Sequence, residues 1–321
     1  MITNDHRIDI DAIIGHTDYT ASRFYPGGSS NQLFKIGIDG SNYLLKIYRN
    51  TDCFEKEPDF MYLFNTHKCK TPRLVNYGSA DSQSWILYEY VTGISLDQIK
   101  NQLETKTLKQ VWRQVGKELK KIHSLSILNE REKEKNRADF IGHIERSIIR
   151  FSNCLNEQDV SPLLIEAIHF LKNNFSHIKK TTMYGIALYD FDERHIILDR
   201  LKGKWAFQAF VDFEQTCFGC LYVDIAALYI CTLLDKEELE KSFWAGYGSG
   251  EMMLDDHCVC FFILYFGLEL CTVLRKVNVH HFEFGLFVIQ KALAKIYRKV
   301  TPNDVFLQKN TESGTKIYAR Y

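Results

Sequence analysis

Residues 33–48 read LFKIGIDGSNYLLKIY and contain the clearest structural signal of the chain. Apolar and polar residues alternate over Leu33–Ile38, and the pattern returns over Tyr43–Tyr48, as is typical of two β-strands. Asp39-Gly40 between them is a dipeptide that favours a two-residue hairpin turn. We therefore predict an antiparallel hairpin in this part of the chain.

The strand pattern extends in both directions from this hairpin. Ala21–Tyr25 upstream and Leu74–Tyr77 and Trp85–Val91 downstream are three more predicted strands. Thr51–His67 reads as a helix, with Pro58 tolerable only near its first turn. Five strands and one helix indicate a small antiparallel-sheet lobe.

After Gly93 the spacing of apolar residues becomes helical. The first such helix is marked by Leu108, Val111, Trp112, Val115, Leu119, Ile122 and Leu125. Glu130–Arg137 alternates in charge and is interpreted as a solvated loop or helix end, with helices predicted over Ile141–Leu155 and Leu163–Phe175. We predict an α+β, bilobal fold, with a small antiparallel-sheet lobe over residues 1–92 and a mainly helical lobe over residues 93–321.

Composition is that of an ordinary globular protein, with 45% hydrophobic and 25% charged residues among 321. Lys plus Arg and Asp plus Glu each number 40, which disfavours nucleic-acid binding driven by bulk positive charge. Nine cysteines, an odd number, favour reduced thiols in the cytoplasm. The N-terminus has no apolar signal segment, and the apolar stretch Cys258–Leu274 contains Glu269, so we expect a buried helix and no membrane partner.

Two features near the hairpin are candidates for phosphate binding. Gly27, Gly28, Ser29 and Asn31 lie in a turn, and glycine allows backbone amides to approach a phosphate closely. Lys46 follows on the returning strand, and Glu57 in the next helix is placed to hold its ammonium group. Glu55 is the alternative, because a sequence defines the phase of a helix only to within a residue or two. A plain turn and a solvent-facing lysine are the alternatives for each feature taken alone.

Acidic residues cluster where strands end in the second half of the chain. ALYDFDERHIIL at 187–198 places Asp190, Asp192, Glu193 and His195 between two apolar strands, Ile186–Tyr189 and His195–Leu198. A third strand, Ala206–Val211, leads to Asp212 and Glu214. If a hairpin brings these strand ends together, their carboxylates are suited to a hard divalent cation. Cys217 and Cys220 have metal-site spacing but no second cysteine pair, so zinc binding is disfavoured.

In this order, these features resemble the aminoglycoside-phosphotransferase-like branch of the protein-kinase-like superfamily. The turn at Gly27–Asn31 is similar to that family's phosphate loop. Asp190 matches the aspartate of its H-x-D-x-x-x-x-N loop. Val211-Asp212 through Asp224 matches I-D-x-x-x-x-x-x-G-D-P-x-x-D, and further elements are similar at Leu119–His123 and Phe243–Tyr247.

The resemblance implies an O-phosphotransferase that moves the γ-phosphoryl group of ATP or GTP to a small-molecule alcohol. Asp190 would accept the hydroxyl proton, and Lys46 would neutralise nucleotide phosphates. His195 and Asp212 would hold Mg²⁺, or Mn²⁺ because an imidazole is a softer ligand than Mg²⁺ prefers. Glu89, Tyr90 and Val91 would offer backbone groups to the base. Asp192, Glu193 and Glu214 would bind the substrate.

The sequence departs from the family pattern at four places. Leu188 and Tyr189 replace the histidine and glycine of the catalytic loop, and Cys220-Leu221 lies at the position of the metal-site proline. His195 replaces the asparagine, as in the macrolide-phosphotransferase branch. These departures keep open a catalytically degenerate pseudokinase that only binds a nucleotide or small molecule.

Two further questions stay open in the sequence. Asp190-Phe191-Asp192 is also the D-x-D of an aspartate-nucleophile phosphatase, but Arg194 stands where such enzymes carry a small hydroxyl residue or valine, and the N-terminal hairpins oppose their parallel sheet. The acceptor is an antibiotic, such as an aminoglycoside or macrolide, or a metabolite. The aromatic residues over Phe261–Phe287 form either its pocket floor or plain core.

Overall fold

The structure is a computed structural model that describes residues 10–15, 18–24, 31–49, 54, 56–80, 83–126, 129–156, 161–248, 256–274 and 279–300. It divides into two compact units, one drawn from residues 1–145 with 178–255 and the other from residues 146–177 with 256–321. The predicted boundary near residue 92 lies inside the first unit, at the point where strands give way to helices. A lobe boundary at that residue stays a prediction.

A five-stranded antiparallel sheet forms the N-terminal part of the first unit, in the order β1-β2-β3-β5-β4. Its strands are β1 (Thr20–Phe24), β2 (Gln32–Ile38), β3 (Ser41–Ile47), β4 (Leu74–Ala80) and β5 (Gln83–Glu89). Ile38 pairs with Ser41 across the two-residue loop Asp39-Gly40, where both residues have positive φ. That geometry is the hairpin turn that the dipeptide predicts. The sheet buries a cluster of Ile36, Leu45, Ile47, Trp85 and Leu87.

Helices make up most of the remainder. They are α1 (Ile10–Ile14), α2 (Glu57–Thr66), α3 (Leu96–Ile99), α4 (Thr105–His123), α5 (Glu130–Asn156), α6 (Pro162–Lys180), α7 (Tyr222–Leu228), α8 (Glu237–Tyr247), α9 (Asp256–Thr272) and α10 (Val279–Val300). Helix α2 begins at Glu57 and has Pro58 in its first turn. Proline is tolerated there because the amides of the first turn have no hydrogen-bond partner within the helix, so the missing N–H costs nothing. The sheets together with these helices confirm the α+β class.

The charged segment Glu130–Arg137 forms the first turns of α5, so of its two interpretations the helix end is confirmed and the loop is wrong. Asn129 caps the start of α5: its Oδ1 accepts a hydrogen bond from the Glu132 amide, and its amide donates to Glu132 Oε2, both at 3.0 Å. This reciprocal capping satisfies amides that the first turn leaves unpaired. The helix therefore begins before its apolar stripe does, and apolar periodicity could not find that start.

Two small sheets in the first unit carry the strand-end acids. Strand β6 (Ile94–Ser95) pairs with β8 (Ile196–Leu201), which forms a hairpin with β9 (Lys204–Phe210). Strand β7 (Tyr184–Ala187) pairs with β10 (Cys217–Cys220), a strand that the sequence did not predict. The β8–β9 hairpin brings the two ends that carry His195 and Asp212 together, as expected, and the Val211 amide donates to the His195 carbonyl at 3.0 Å.

Helix α9 lies in the second unit and is apolar along nearly its whole length. Phe261, Phe262 and Tyr265 are each 0% exposed, so these aromatic side chains are core, which was one of the two alternatives. Within the ranges the structure describes, no helix combines the length and apolar character needed to cross a bilayer.

Candidate active site

Lys46 lies near the end of β3 with its side chain directed into the protein, where only 6% of it is exposed. Its Nζ lies 3.2 Å from Glu57 Oε2, 2.8 Å from Asp212 Oδ1 and 3.0 Å from Glu214 Oε2. The structure therefore brings Lys46 to the helix carboxylate that the sequence assigned to it. Glu214, which the sequence assigned to substrate binding, contacts the same ammonium group.

Glu57 is buried, and two tyrosines hold its carboxylate. The hydroxyl groups of Tyr48 and Tyr88 each donate to a different oxygen of Glu57. Sequence reasoning missed both tyrosines, although Tyr48 lies two residues after Lys46 and two-residue spacing puts side chains on one face of a strand. Glu55, the alternative partner, lies outside the described residues.

This cluster has more negative than positive charge. Burial alone would lower the pKa of the Lys46 ammonium, but the charges of Glu57 and Asp212 raise that pKa well above its ordinary value. Lys46 is therefore a permanent cation. Because three carboxylates surround it, a net negative charge is left over, and such a site attracts a further cation.

Asp212 follows β9 with a φ of 66°, in the left-handed region that residues with a Cβ seldom adopt. Burial would raise the pKa of its carboxyl group, but Lys46 and His195 outweigh that effect and lower the pKa below its ordinary value. Asp212 is thus ionised at neutral pH. Its ion pair with Lys46 is one contact that holds the strained backbone in place.

His195 ends a single helical turn, Glu193–His195, that starts the second strand of the loop. Its Nδ1 lies 3.0 Å from the Asp190 carbonyl oxygen, and its Nε2 lies 3.8 Å from Asp212 Oδ2. A carbonyl oxygen only accepts, so in the neutral imidazole Nδ1 carries the proton. Nε2 then carries a lone pair 3.8 Å from Asp212 Oδ2, so these two atoms are candidate ligands of one metal ion.

Asp190 and Asp192 lie in the same loop as His195. One ligand atom from each of these three residues falls within 4.8 Å of the others, which is close enough for one metal ion. Burial raises the pKa of the Asp190 carboxyl group above its ordinary value, partly offset by His195. Asp192 instead accepts hydrogen bonds from the Arg194 amide at 2.7 Å and Arg194 Nε at 2.8 Å, so its oxygens already have partners.

A buried acid beneath this loop fixes its backbone. Asp224 is 0% exposed, and its two oxygens accept the amides of Leu188 and Tyr189, each at 2.8 Å. His123 Nε2 lies 2.9 Å from the same carboxylate, and His123 Nδ1 lies 2.7 Å from the Tyr247 hydroxyl oxygen. The sequence had singled out the segments that contain these three residues only for their resemblance and gave them no role. Together they position the residues that precede Asp190.

Some predicted site residues are placed elsewhere. Glu193 is buried, and its carboxylate is bound by Lys100 and Thr232, so it faces the interior and not a substrate. The sequence gave Glu193 to substrate binding as one member of a local acidic patch with Asp192 and Glu214. Here a lysine and a hydroxyl group pair with it, which stabilises a buried carboxylate.

The predicted nucleotide contacts are only partly described. Gly27, Gly28 and Ser29 lie outside the described residues. Asn31 donates from Nδ2 to Glu214 and accepts from the Arg49 amide at 3.2 Å, which ties the end of the turn to the Lys46 cluster.

The segment Glu89–Val91, which the sequence predicts to bind the base, has two of its amides already engaged. The amides of Glu89 and Tyr90 donate to the carbonyls of Arg73 and Asn42, at 2.9 and 3.0 Å. The predicted contact to a base through an amide therefore depends on Val91.

Comparison with known proteins places this arrangement in a family. The model of the phosphotransferase enzyme family matches residues 22–257, about three quarters of the chain. The chain belongs to the phosphotransferase enzyme family. The match includes Lys46, Asp190, His195, Asp212 and Asp224. No curated protein matches the chain in sequence.

Solved structures of similar fold include phosphotransferases and an ethanolamine kinase. Aminoglycoside phosphotransferase APH(4)-Ia superposes with a TM-score of 0.66 at 13% identity, over 88% of this chain and 96% of that one. Plasmodium vivax ethanolamine kinase superposes with a TM-score of 0.61 at 16% sequence identity, over 88% of this chain and 83% of that one. Spectinomycin phosphotransferase APH(9)-Ia was solved with ADP and spectinomycin. It superposes with a TM-score of 0.58 at 12% sequence identity, over 87% of this chain and 93% of that one. The protein-kinase-like fold is thereby confirmed, and at these identities the likeness extends to the fold alone.

Proposed function

We propose that this phosphotransferase moves the γ-phosphoryl group of a nucleoside triphosphate to a hydroxyl group of a small molecule. The observation that carries the proposal is the convergence of Lys46, Glu57 and Asp212 in one ion-paired cluster, with His195 between Asp212 and the Asp190 loop. A structural ion-pair network would not need a partly exposed carboxylate, and 42% of the Asp212 side chain is exposed. The neighbouring structures solved with ADP or AMP-PNP support a nucleotide as donor.

Lys46 would neutralise phosphate oxygens of the nucleotide. Glu57 holds its ammonium in place, and Tyr48 and Tyr88 hold Glu57 in turn, so the lysine is positioned before the nucleotide binds. Phosphoryl transfer depends chiefly on such positioning and on charge neutralisation.

The donor set at the end of the β8–β9 hairpin fits a divalent cation. Asp212 and the Nε2 of His195 would hold it, and one oxygen each of Asp190 and Asp192 lies within 4.8 Å of a ring nitrogen of the same histidine. Mg²⁺ or Mn²⁺ bound there would offset the excess negative charge and that of the phosphates. ATP and GTP remain alternative donors.

Asp190 would accept the proton of the acceptor hydroxyl group. The acceptor oxygen forms a bond to the γ-phosphorus, the bond from that phosphorus to the β–γ bridging oxygen breaks, and the nucleoside diphosphate leaves. Asp190 would orient the hydroxyl group and hold its proton, and the raised pKa of its carboxyl group makes it a better base than an aspartate of ordinary pKa.

The test is nucleotide titration of the purified protein with ATP and GTP, each with Mg²⁺ and Mn²⁺, followed by a diphosphate-release assay over a panel of alcohols. We expect metal-dependent binding and acceptor-dependent release, and both should be lost in Lys46→Ala. Nucleotide binding without diphosphate release for any acceptor would favour the pseudokinase. The replacements Leu188 and His195 in the catalytic loop are the observations that support that alternative. No binding at all would refute both functions.

The acceptor panel should contain antibiotics and metabolites in equal measure. Structures of similar fold are named for hygromycin B, spectinomycin and ethanolamine, which places amino alcohols of very different size in the panel. An antibiotic acceptor would make the protein a resistance enzyme, and a metabolite acceptor would not.

A further inference from the structure

A cavity of about 540 Å³ lies beside the catalytic loop, within the first compact unit. Its wall includes Tyr189, the residue before Asp190, and Glu214, two residues after Asp212. Its volume is in the range of small-molecule binding sites. A molecule bound in it would therefore lie next to the groups proposed to carry phosphoryl transfer.

Thr216 lies on this wall, and its buried side chain carries a polar group. The residue is 3% exposed, and its hydroxyl oxygen has no hydrogen-bond partner in the structure as described. Its amide donates to the Phe213 carbonyl at 3.0 Å, so a tight turn fixes the position of the side chain. A buried hydroxyl group without a partner is destabilising, so its presence on a cavity wall points to a ligand that completes its hydrogen bonding.

Aromatic side chains form much of the same wall. Phe60, Phe140, Phe218 and Tyr189 all line the cavity, and the rings of Phe140 and Tyr189 meet edge to face with centroids 6.3 Å apart. Such rings bind another ring by stacking or edge contact and exclude water from it. The wall therefore favours a ligand with a flat or cyclic apolar body.

The charge of the wall limits the charge of the ligand. Its charged residues are Lys56, Asp59, Asp139 and Glu214, with the imidazole of His143 beside them. Glu214 already pairs with Lys46, which leaves one lysine against two aspartates. A polycation would need several unpaired carboxylates, so a ligand with at most one positive charge fits better.

Resting on the proposed function, we propose that this cavity binds the acceptor and that Thr216 donates a hydrogen bond to it. The acceptor is then a ring-containing alcohol that is neutral or singly charged, and not a polycation. Thr216 is a residue that determines acceptor specificity, and its role is separate from the handling of nucleotide and metal.

The experiment measures binding by ligand-observed NMR without nucleotide, so that it does not depend on turnover. The probes are a panel of aromatic and alicyclic alcohols that includes pyridoxine and thiamine, and a panel of polycations that includes hygromycin B. Two variants test the cavity: Thr216→Val removes the hydroxyl group at nearly constant shape, and Ser126→Trp fills the cavity from an exposed position on its wall. Thr272→Val is the matched control, because Thr272 is also buried but donates to the Leu268 carbonyl and does not line the cavity.

We expect ring alcohols to bind the wild-type chain and the Thr272→Val control. Binding should weaken about three- to tenfold in Thr216→Val, the range for one neutral hydrogen bond, and disappear in Ser126→Trp. Circular dichroism shows that each variant is folded. The proposal is overturned if no ring alcohol binds, if binding survives in Ser126→Trp, or if polycations bind more tightly than ring alcohols. Nucleotide titration of the same samples reports on the proposed function separately.

Discussion

Lys46 is the residue on which the charge balance of the site depends. We expect Lys46→Met to lower the free energy of unfolding by about 3 kcal/mol, because it leaves Glu57 and two further carboxylates without their cation. Urea unfolding measures this loss, and nucleotide titration should report weaker binding. The double variant Lys46→Met, Glu57→Gln should recover part of the stability but none of the nucleotide affinity. Wild-type stability of the single variant would contradict the buried ion-pair arrangement.

Asp190 and Asp192 lie two residues apart, and only one of them is proposed as the base. Asp190→Asn should abolish acceptor-dependent transfer with little change in nucleotide affinity, since proton acceptance is lost but Lys46 still neutralises phosphate. Asp192→Asn is the comparison, and because Asp192 caps the following turn and pairs with Arg194 we expect it to lower stability more than transfer. Steady-state kinetics of both variants decide the matter, and the reverse pattern would move the base to Asp192.

At the scale of elements, helices α4 and α8 cross at two glycines. A Cβ at Gly246 would lie 1.9 Å from the Arg113 carbonyl oxygen, and one at Gly116 would lie 2.2 Å from the Phe243 carbonyl oxygen. Gly246→Ala should therefore destabilise the protein by at least about 2 kcal/mol, because backbone and not a flexible side chain has to move. Thermal unfolding measures this, with Ala245→Ser at the neighbouring exposed position as control. Equal melting temperatures for the two variants would mean that the helices do not meet at this glycine.

The same two helices and α7 hold the catalytic loop through Asp224. Asp224→Asn replaces one accepting oxygen by an amide donor, so one of the loop amides at Leu188 and Tyr189 loses its partner. We expect a loss of about 1–3 kcal/mol in unfolding free energy together with a lower kcat at nearly unchanged nucleotide KM. Tyr247→Phe serves as the milder control, because it removes only the contact to His123. A kcat for Asp224→Asn equal to that of the wild type would separate this network from catalysis.

At the scale of the whole molecule, buried thiols make the protein sensitive to alkali. Burial raises the pKa of Cys220 to about 12 and that of Cys69 to about 11. In the unfolded chain a thiol ionises at about pH 8.5. Above that pH the folded state binds more protons than the unfolded state, so the free energy of unfolding falls as pH rises. This stabilisation is complete below about pH 8.5 and is lost as pH rises through the folded-state values.

Urea unfolding between pH 7.5 and pH 10.5 measures this slope. Each buried thiol contributes at most about 1.4 kcal/mol per pH unit, so Cys220→Ala should give a measurably shallower slope even though its stability at neutral pH is lower. Lysines and tyrosines titrate equally in both proteins, so the difference in slope isolates the thiol. Parallel slopes would mean that Cys220 is accessible to hydroxide in the folded state.

Short-range signals in the sequence predicted much of the fold. The hairpin at Asp39-Gly40, the periodicity of α4 and the strands that precede Asp190 and Asp212 were all predicted, because turn chemistry and side-chain period act over a few residues. The start of α5 at Glu130 was left open between a loop and a helix end, because it depends on the Asn129 cap and not on apolar spacing. Lys46 was assigned a partner on the following helix, but side-chain period left Glu55 as an alternative to Glu57, the residue that the structure pairs with it.

By itself, then, the sequence determined the α+β class, the order of the elements and the residues that could carry phosphoryl chemistry. Only the tertiary structure decided which of those residues meet. Lys46 reaches Asp212 across 166 positions of sequence and His123 reaches Asp224 across 101, contacts that depend on how sheets and helices pack. The same packing turned Glu193 inward, brought Glu214 to Lys46 and left the Thr216 hydroxyl group on a cavity wall. Local sequence patterns specify the direction in which a side chain points from its strand or helix. Which residues it contacts depends on elements that lie far away in the chain.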